Sequence, residues 1–278
     1  LLQLLQARAV SAGIEPEWNR HLDNLDALQG ADLIIGADGL NSLVRQSDPR
    51  AFGESLSHLN NRFVWYGVDR EFDALTQTFR RHDGGFFNAH HYRYAPGKST
   101  FIVECDAPTF ERMGFADMSE ARSKACCEAI FADQLQGTPL TGNRSIWRQF
   151  PKLWNDNWYA GNRVLVGDAL HTAHFSIGSG TRLALEDVIA LVKALKAHDF
   201  SLPGALPAYQ EARKPVVEKI VRAANASADW YENFASHMTQ DPWRFAHAYL
   251  QRSGRITPER LALIAPEFAA GLAARGLT

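Results

Sequence analysis

Cysteine is scarce, with three in 278 residues at positions 105, 126 and 127, and none forms a CxxC pair. Adjacent Cys126 and Cys127 could bridge each other only with strained geometry, which argues against a disulfide framework and for reduced thiols in a cytoplasmic compartment. Positive charge is not in excess either: 29 Lys+Arg stand against 31 Asp+Glu, a formal net charge of -2. A nucleic-acid binder would carry a basic surplus to neutralise phosphates. No apolar run approaches the roughly 20 residues needed to span a bilayer, and no signal peptide is expected. His171 and His174 lie three apart but have no third ligand at metal spacing, so no metal is expected. What remains is a chain with 46% hydrophobic residues, enough for a packed core and long enough for one large domain or two ordinary ones.

A further absence concerns the start. LLQLLQARAVSAG reads as an amphipathic helix in full stride, without initiator Met, cap or preceding strand. No strand is followed directly by a G-x-G-x-x-G turn. The expectation is a chain that begins mid-domain, short of about a hundred residues that would carry that turn.

Along the chain, Ala31 to Gly36 (ADLIIG) is a buried-strand signal ending at the turn Asp38-Gly39. RFVWYGV, LTQTFR, GFFNAHHYRY and STFIVEC follow without an intervening helix, which predicts an antiparallel sheet. Ser119 to Asp133 has helical spacing, with Ser119 as N-cap and Ala121, Ala125, Ile130 and Phe131 on or near one face. SIWRQFP reads as the strand closing this region. RVLVG is a second buried strand, followed by a loop and a helix over Thr181 to Lys196. Beyond Ser201 the pattern is helical, with Pro203, Pro207, Pro215, Pro242 and Pro258 at or near helix starts. The fold class is therefore α/β, or α+β overall. Residues 1–58 and 152–200 read as two parts of one nucleotide-binding domain, 59–151 as an inserted β-sheet domain and 201–278 as a helical region.

The segment Gly167 to Glu186 (GDALHTAHFSIGSGTRLALE) carries the chemistry. Its strand delivers Asp168 to the sheet edge where open α/β sheets bind ligands, and a carboxylate there can accept hydrogen bonds from a sugar-like hydroxyl chain. Gly178-Ser179-Gly180 then opens a helix, where free N–H groups and the positive dipole end favour negative charge. A reduced flavin carries such charge on its pyrimidine side. The bland reading, a helix turn beside a strand-end carboxylate, would win for a bare GxG.

The longer pattern tips the balance. G-D-A-x-H, then G-x-G, then the acidic pair Glu186-Asp187 resembles the second FAD motif of the single-component aromatic-ring monooxygenases. GADGLNSLVR, Gly36 to Arg45, resembles the same family's D-G-x-x-S-x-x-R signature. The resemblance implies that Asp38, Gly39, Ser42 and Arg45 serve FAD and NAD(P)H, with Asp168 at the ribityl chain, Gly178, Ser179, Gly180 and Thr181 near the ring system, and Gly167 and Ser176 also among the cofactor-binding residues. Phe175 stands where many members have Pro. HFSIGSG, with the WYG, AHHYRY and STFIVEC segments and Tyr209, Arg213 and Pro215, is most similar to the salicylyl-CoA and anthraniloyl-CoA hydroxylases, and also to a violacein-type tryptophan hydroxylase.

What this implies is hydroxylation of an aromatic ring through a flavin hydroperoxide, with NAD(P)H and O2. The substrate is a small aromatic molecule, CoA-linked on the nearest likeness and a free aromatic such as tryptophan on the other. The strand GFFNAHHYRY alternates with period two, putting Phe86, Asn88, His90 and Tyr92 on one face. His90, Tyr92 and His174 are candidates for proton handling, since a His of near-neutral pKa can assist deprotonation. Trp65, Asn88, His90 and Phe175 are candidate substrate contacts. The competing view is that these are core residues satisfied by neighbours. Arg62, Arg70, Arg80, Arg81, Arg93 and Lys98 make the sheet locally basic, as a solvated face or, for one or two, a phosphate contact. A reading from another class is a non-catalytic or regulatory homologue lacking the nucleotide-binding turn.

Overall fold

The computed structural model describes residues 1–142 and 144–277. Helix α1 (Leu2–Ser11) leads to strand β1 (Ile34–Gly36), the short helices α2 (Leu43–Gln46) and α3 (Pro49–Phe52), and strand β2 (Glu54–His58). Strands β3 (Arg62–Val68), β4 (Thr76–His82), β5 (Gly85–Ala95) and β6 (Lys98–Cys105) follow in unbroken succession. Helices α4 (Ala107–Met113), α5 (Glu120–Ile130) and α6 (Ala132–Leu135) precede strands β7 (Leu140–Thr141), β8 (Pro151–Asn155), β9 (Tyr159–Ala160) and β10 (Arg163–Leu165). The rest is helical: α7 (Gly180–Ala197), α8 (Leu202–Glu232), α9 (Phe234–His237), α10 (Pro242–Gln251), α11 (Pro258–Ile264) and α12 (Pro266–Ala274). Among the described residues no helix is long and apolar enough to cross a membrane.

The two buried-strand signals pair with each other. β1 and β10 are parallel, with Ile34, Ile35 and Gly36 opposite Arg163, Val164 and Leu165. Glycine ends β1 for a steric reason: a Cβ at Gly36 would lie 2.7 Å from Leu165 Cδ2 and 2.9 Å from Val44 Cβ. Helix α2 therefore packs directly over the strand end. Val164, Leu165 and Val166 form a core with Leu183 and Leu191 of α7 and Leu206, Tyr209, Val217 and Val221 of α8.

The four β-rich runs form an antiparallel sheet in the order β4-β5-β6-β3-β7. Period two sorts its faces: Val64, Tyr66, Val68, Phe87, Ala89, Phe101, Val103 and Cys105 pack on Phe115, Cys127, Ile130, Phe131 and Leu135 of the helical side. The other face turns towards α8 and α10, where Phe79 and Phe86 meet Trp230, Tyr231, Phe234, Phe245 and Tyr249.

Three expectations are corrected. SIWRQFP is not a strand; Arg148 makes one isolated bridge to Phe63, β7 closes the sheet against β3, and Pro151 begins β8, which pairs with β2 in a separate ribbon. Ser119 does cap α5, accepting from Arg122 N, but the buried face is Ser123, Cys127 and Ile130 while Ala121 and Ala125 are exposed. Small alanines gave the apolar pattern the wrong phase. Pro207 and Pro215 lie inside the 31-residue α8 rather than at helix starts. Each costs about 3 kcal/mol in an isolated helix. Burying Leu206, Tyr209, Val217 and Val221 beside them, at about 1.5–3 kcal/mol per large side chain, offsets that loss.

Candidate functional site

The site begins where β1 stops. Gly39 takes a left-handed φ of 77°, turning the chain so that Asp38 Oδ2 accepts from Leu43 N at 2.7 Å. Ser42, fully buried, caps α2 by accepting from Arg45 N at 3.1 Å. Arg45 is 1% exposed and its guanidinium is fully engaged: it pairs with Glu54 of β2, donates to Leu40 O, and donates to Ala169 O at 2.9 Å. Ala169 belongs to the second motif, so one side chain locks together two segments 124 residues apart. Arg45 thus serves the site by fixing its geometry; its guanidinium is spent on protein acceptors.

After β10, Gly167 adopts φ 60° with its Cα pressed on α7, where an added Cβ would meet Ala184 Cβ at 3.0 Å. Its N–H donates to Asp187 Oδ2 at 3.1 Å. Asp187 is completely buried and also takes His171 Nε2 at 2.9 Å and Arg213 Nε at 2.9 Å. Arg213, itself buried, reaches Glu186 at 2.9 Å. This cluster pins the turn and leaves neighbouring Asp168 exposed at the carboxyl end of β10. Partial desolvation raises the Asp168 carboxyl above its usual range, against the opposing pull of His171.

Further on, His174 Nδ1 bonds Ser176 Oγ at 2.8 Å, and Ser176 Oγ meets Ser227 Oγ of α8 at 2.8 Å. Gly178 is left-handed at φ 61°, and a Cβ built on Gly178 or Gly180 would touch nothing within 4 Å. Ser179 precedes α7 without a side-chain cap bond, and Thr181 is exposed in its first turn. An 18-residue helix therefore presents first-turn N–H groups without a side-chain cap beside an open glycine turn, and the positive end of its dipole favours negative charge there.

Phe175 joins this loop to the sheet. Its ring packs at 5.0 Å from Phe63, 5.4 Å from His90, 5.8 Å from Phe150 and 6.4 Å from Trp65. His174 stacks on it at 4.2 Å. His90 in turn stacks with Tyr92, the ring planes 7° apart. Four sequence candidates, His90, His174, Phe175 and Trp65, thus meet in one place, with Tyr92 at its margin. Asn88, 1% exposed, lies one pair further along, accepting from Gln77 at 2.8 Å opposite Glu104.

The expectation of near-neutral histidines is corrected. Burial, then His91 and Arg252, pushes His90 down to about 4. Burial, then His90, Arg252 and Lys152, pushes His174 down to about 3. Both shifts hold the rings in their neutral form at physiological pH.

Sequence reasoning missed Glu104, which is buried, accepts from Asn61 Nδ2 at 2.8 Å, and is raised by desolvation to about 7. An acid inside the apolar strand STFIVEC was the available signal. It also missed Arg252, whose guanidinium lies over the Tyr249 ring at 3.9 Å and donates to Ser176 O at 3.4 Å. Nothing local in the sequence marks it. On the basic segment, Arg80, Arg93 and Lys98 pair with Asp133, Glu71 and Asp69, and Arg70 donates to Gln136 at 2.9 Å. Arg62 bonds Asn60 O, and Arg81 reaches Met238 O at 3.4 Å. His171 and His174 have separate partners, Asp187 and Ser176. A cleft of about 290 Å³ between β8 and α8, with Lys152, Trp154 and Arg222 in its wall, touches the glycine-bearing segment only at Thr172.

A parallel β pair with a helix N-terminus at its carboxyl edge is followed in space by an antiparallel sheet whose face meets that same loop. Residues 7–224 match the FAD binding domain family, and the chain belongs to it. It is 38% identical over 263 residues to the salicyloyl-CoA 5-hydroxylase of a Streptomyces species, covering 91% of this chain and 51% of that protein. It is 39% identical over 231 residues to a 3-hydroxy-4-methyl-anthranilyl-[aryl-carrier protein] 5-monooxygenase of Streptosporangium sibiricum, covering 83% of this chain and 61% of that one. In structure it resembles pqsL, a probable FAD-dependent monooxygenase from Pseudomonas aeruginosa, with TM-score 0.54, 24% identity, and coverage of 78% of this chain and 59% of that one. The chain thus spans about half to three-fifths of the length of these relatives. The residues present fit FAD, because the turn at Gly178 to Gly180 leaves backbone room and donors while exposed Asp168 supplies an acceptor.

Proposed function

We propose that the protein of which this chain forms part hydroxylates the aromatic ring of an aryl thioester, using FAD, NAD(P)H and O2. The observation that carries the reading is the meeting of an open, donor-rich glycine turn with an aromatic sheet face through Phe175. Residues 1–58 and 152–200 act as the cofactor-holding framework, 59–151 as the substrate-facing sheet and 201–278 as the helical cover. Bound FAD supplies the oxygen-transfer chemistry after reduction by NAD(P)H.

The protein positions the reactants and excludes water. First-turn N–H groups at Gly180 and Thr181 would favour negative charge on the bound ring system. Asp168 would accept from the hydroxyl chain of bound FAD, and Arg45 and Asp187 hold the two turns in register. Phe63, Trp65 and Phe175 offer apolar surface to a planar ring, while neutral His90 and His174, with Tyr92, orient its polar substituents. An aryl thioester is favoured over free tryptophan because both relatives described above are named for acyl-linked aromatic substrates. The three cysteines form no disulfide, which fits the reducing cytoplasm as the compartment.

The test is to express the extended reading frame, record its flavin absorbance, and follow NAD(P)H oxidation with salicyloyl-CoA, anthraniloyl-CoA and tryptophan. Yellow protein with oxidation stimulated by a CoA thioester is expected. Absence of flavin would overturn the reading, and stimulation by tryptophan alone would overturn the substrate class.

A further inference from the structure

Arg252 is a half-buried cation without a carboxylate partner, a state it shares with Arg70, which donates to Leu135 O and Gln136 on the helical side of the sheet. Arg45 and Arg213 each have a carboxylate partner, at Glu54 and at Asp187 with Glu186. Arg252 makes no ion pair among the described residues. Its Nη1 donates to Tyr249 O at 2.7 Å and its Nη2 reaches Ser176 O at a long 3.4 Å, while Nε is buried without a partner. The Tyr249 ring lies 3.9 Å below the guanidinium and the Tyr231 ring 5.9 Å away. A cation held on ring faces and carbonyls keeps its net charge and an unused donor.

Its location gives that charge a use. Ser176 lies in the flavin-side loop next to Phe175, which packs on His90 of the sheet. Arg252 is close enough to both His90 and His174 to disfavour their protonation. The aromatic site therefore has neutral histidines, the buried carboxyl of Glu104 opposite Phe63 and Asn88, and the cation of Arg252 delivered from the end of α10. An electron-rich ring presents its oxygen substituent, most strongly when that oxygen is negative, to a planar cation with directed N–H groups.

We infer that Arg252 is the specificity-determining residue that recognises a negatively charged oxygen substituent on the aromatic ring of the substrate. The inference rests on the proposed function and names the substrate feature that this function requires.

The experiment uses the flavin-loaded protein from the extended reading frame. Binding of salicyloyl-CoA and of benzoyl-CoA, which lacks the ring hydroxyl, is read from perturbation of the flavin absorbance in wild type, Arg252→Gln and Arg252→Lys. Arg252→Gln should weaken salicyloyl-CoA by about 10- to 100-fold, the usual scale for a hydrogen bond to a charged group, and benzoyl-CoA by less than about threefold. Arg252→Lys, a point charge without the planar fork, should fall between. Equal losses on both thioesters would show a packing role and overturn the inference, as would no loss on salicyloyl-CoA. If Arg252→Gln does not fold, Arg252→Lys decides: a severalfold drop in the preference for salicyloyl-CoA supports the inference and an unchanged preference overturns it. Wild-type protein that lacks flavin or binds neither thioester would overturn the functional reading, and this inference with it. Failure confined to the variants' selectivity overturns the inference alone.

Discussion

Replacing Asp187 with alanine tests the idea that a buried ion cluster, and not the glycines alone, holds the Gly167 turn. The carboxylate takes Gly167 N at 3.1 Å, His171 Nε2 at 2.9 Å and Arg213 Nε at 2.9 Å, with Asp187 0% and Arg213 7% exposed. Its removal leaves a buried backbone N–H unsatisfied and a buried guanidinium half-compensated. Breaking one side of such a pair costs about 3–5 kcal/mol. Arg213 keeps Glu186 at 2.9 Å, which puts the expectation at the lower end, about 3 kcal/mol. At about 2–4 °C per kcal/mol for a chain of this size, the melting temperature should fall by about 6–12 °C. The assay is thermal and urea unfolding of wild type, Asp187→Ala, Arg213→Ala and the double variant. Deleting both partners removes the stranded charge, so the double variant should be at least about 1 kcal/mol more stable than additivity gives. An Asp187→Ala loss below about 1 kcal/mol, or strict additivity, would refute the reasoning.

Glu104, raised by burial to about 7 from an ordinary 4.5, binds its proton more tightly folded than unfolded. Its contribution is fully present below about pH 4.5 and is lost as pH rises through about 7, amounting to about 3 kcal/mol. Glu104→Gln should flatten the stability profile across that window; an unchanged slope would count against burial as the cause. His90 works in the opposite sense. Held at about 4 when folded, it adds stability above its unfolded value that is lost as pH falls through about 4, so His90→Asn should flatten the acid side of the urea midpoint against pH. Gly178→Ala, at φ 61°, should lose about 1 kcal/mol in urea melts. Gly180→Ala has open space and an ordinary φ and should not destabilise, yet it should weaken FAD in the flavin-loaded protein; unchanged FAD affinity would remove this turn from the cofactor site. Arg45→Lys cannot span Leu40, Glu54 and Ala169 together, and should cost about 1–3 kcal/mol in unfolding experiments.

Much of the fold could be read from local pattern. The runs around Val64, Phe79, Phe87 and Phe101 have strand composition between polar breaks, which predicts the four strands, and period two in GFFNAHHYRY predicts the faces of β5. Ser119 as N-cap and the start of α7 after Ser179 follow from capping chemistry and glycine, which are local. The errors share a cause. Pro207 and Pro215 survive inside α8 because the core on one side outweighs local propensity, and SIWRQFP has strand composition but meets the edge of β3 through the single bridge of Arg148 to Phe63.

By itself the sequence determined the order of elements, the two glycine-bearing motifs and the face of β5 that bears His90, because periodicity, capping and glycine turns act over a few residues. Tertiary structure alone decided how those parts work. It spent Arg45 on joining the motifs across 124 residues, buried His90 and His174 until they lost their basicity, and raised Glu104. It also carried Arg252 from the C-terminal helices to Ser176. Charge, solvation and long-range contact depend on what surrounds a side chain in space, and a linear pattern does not contain that.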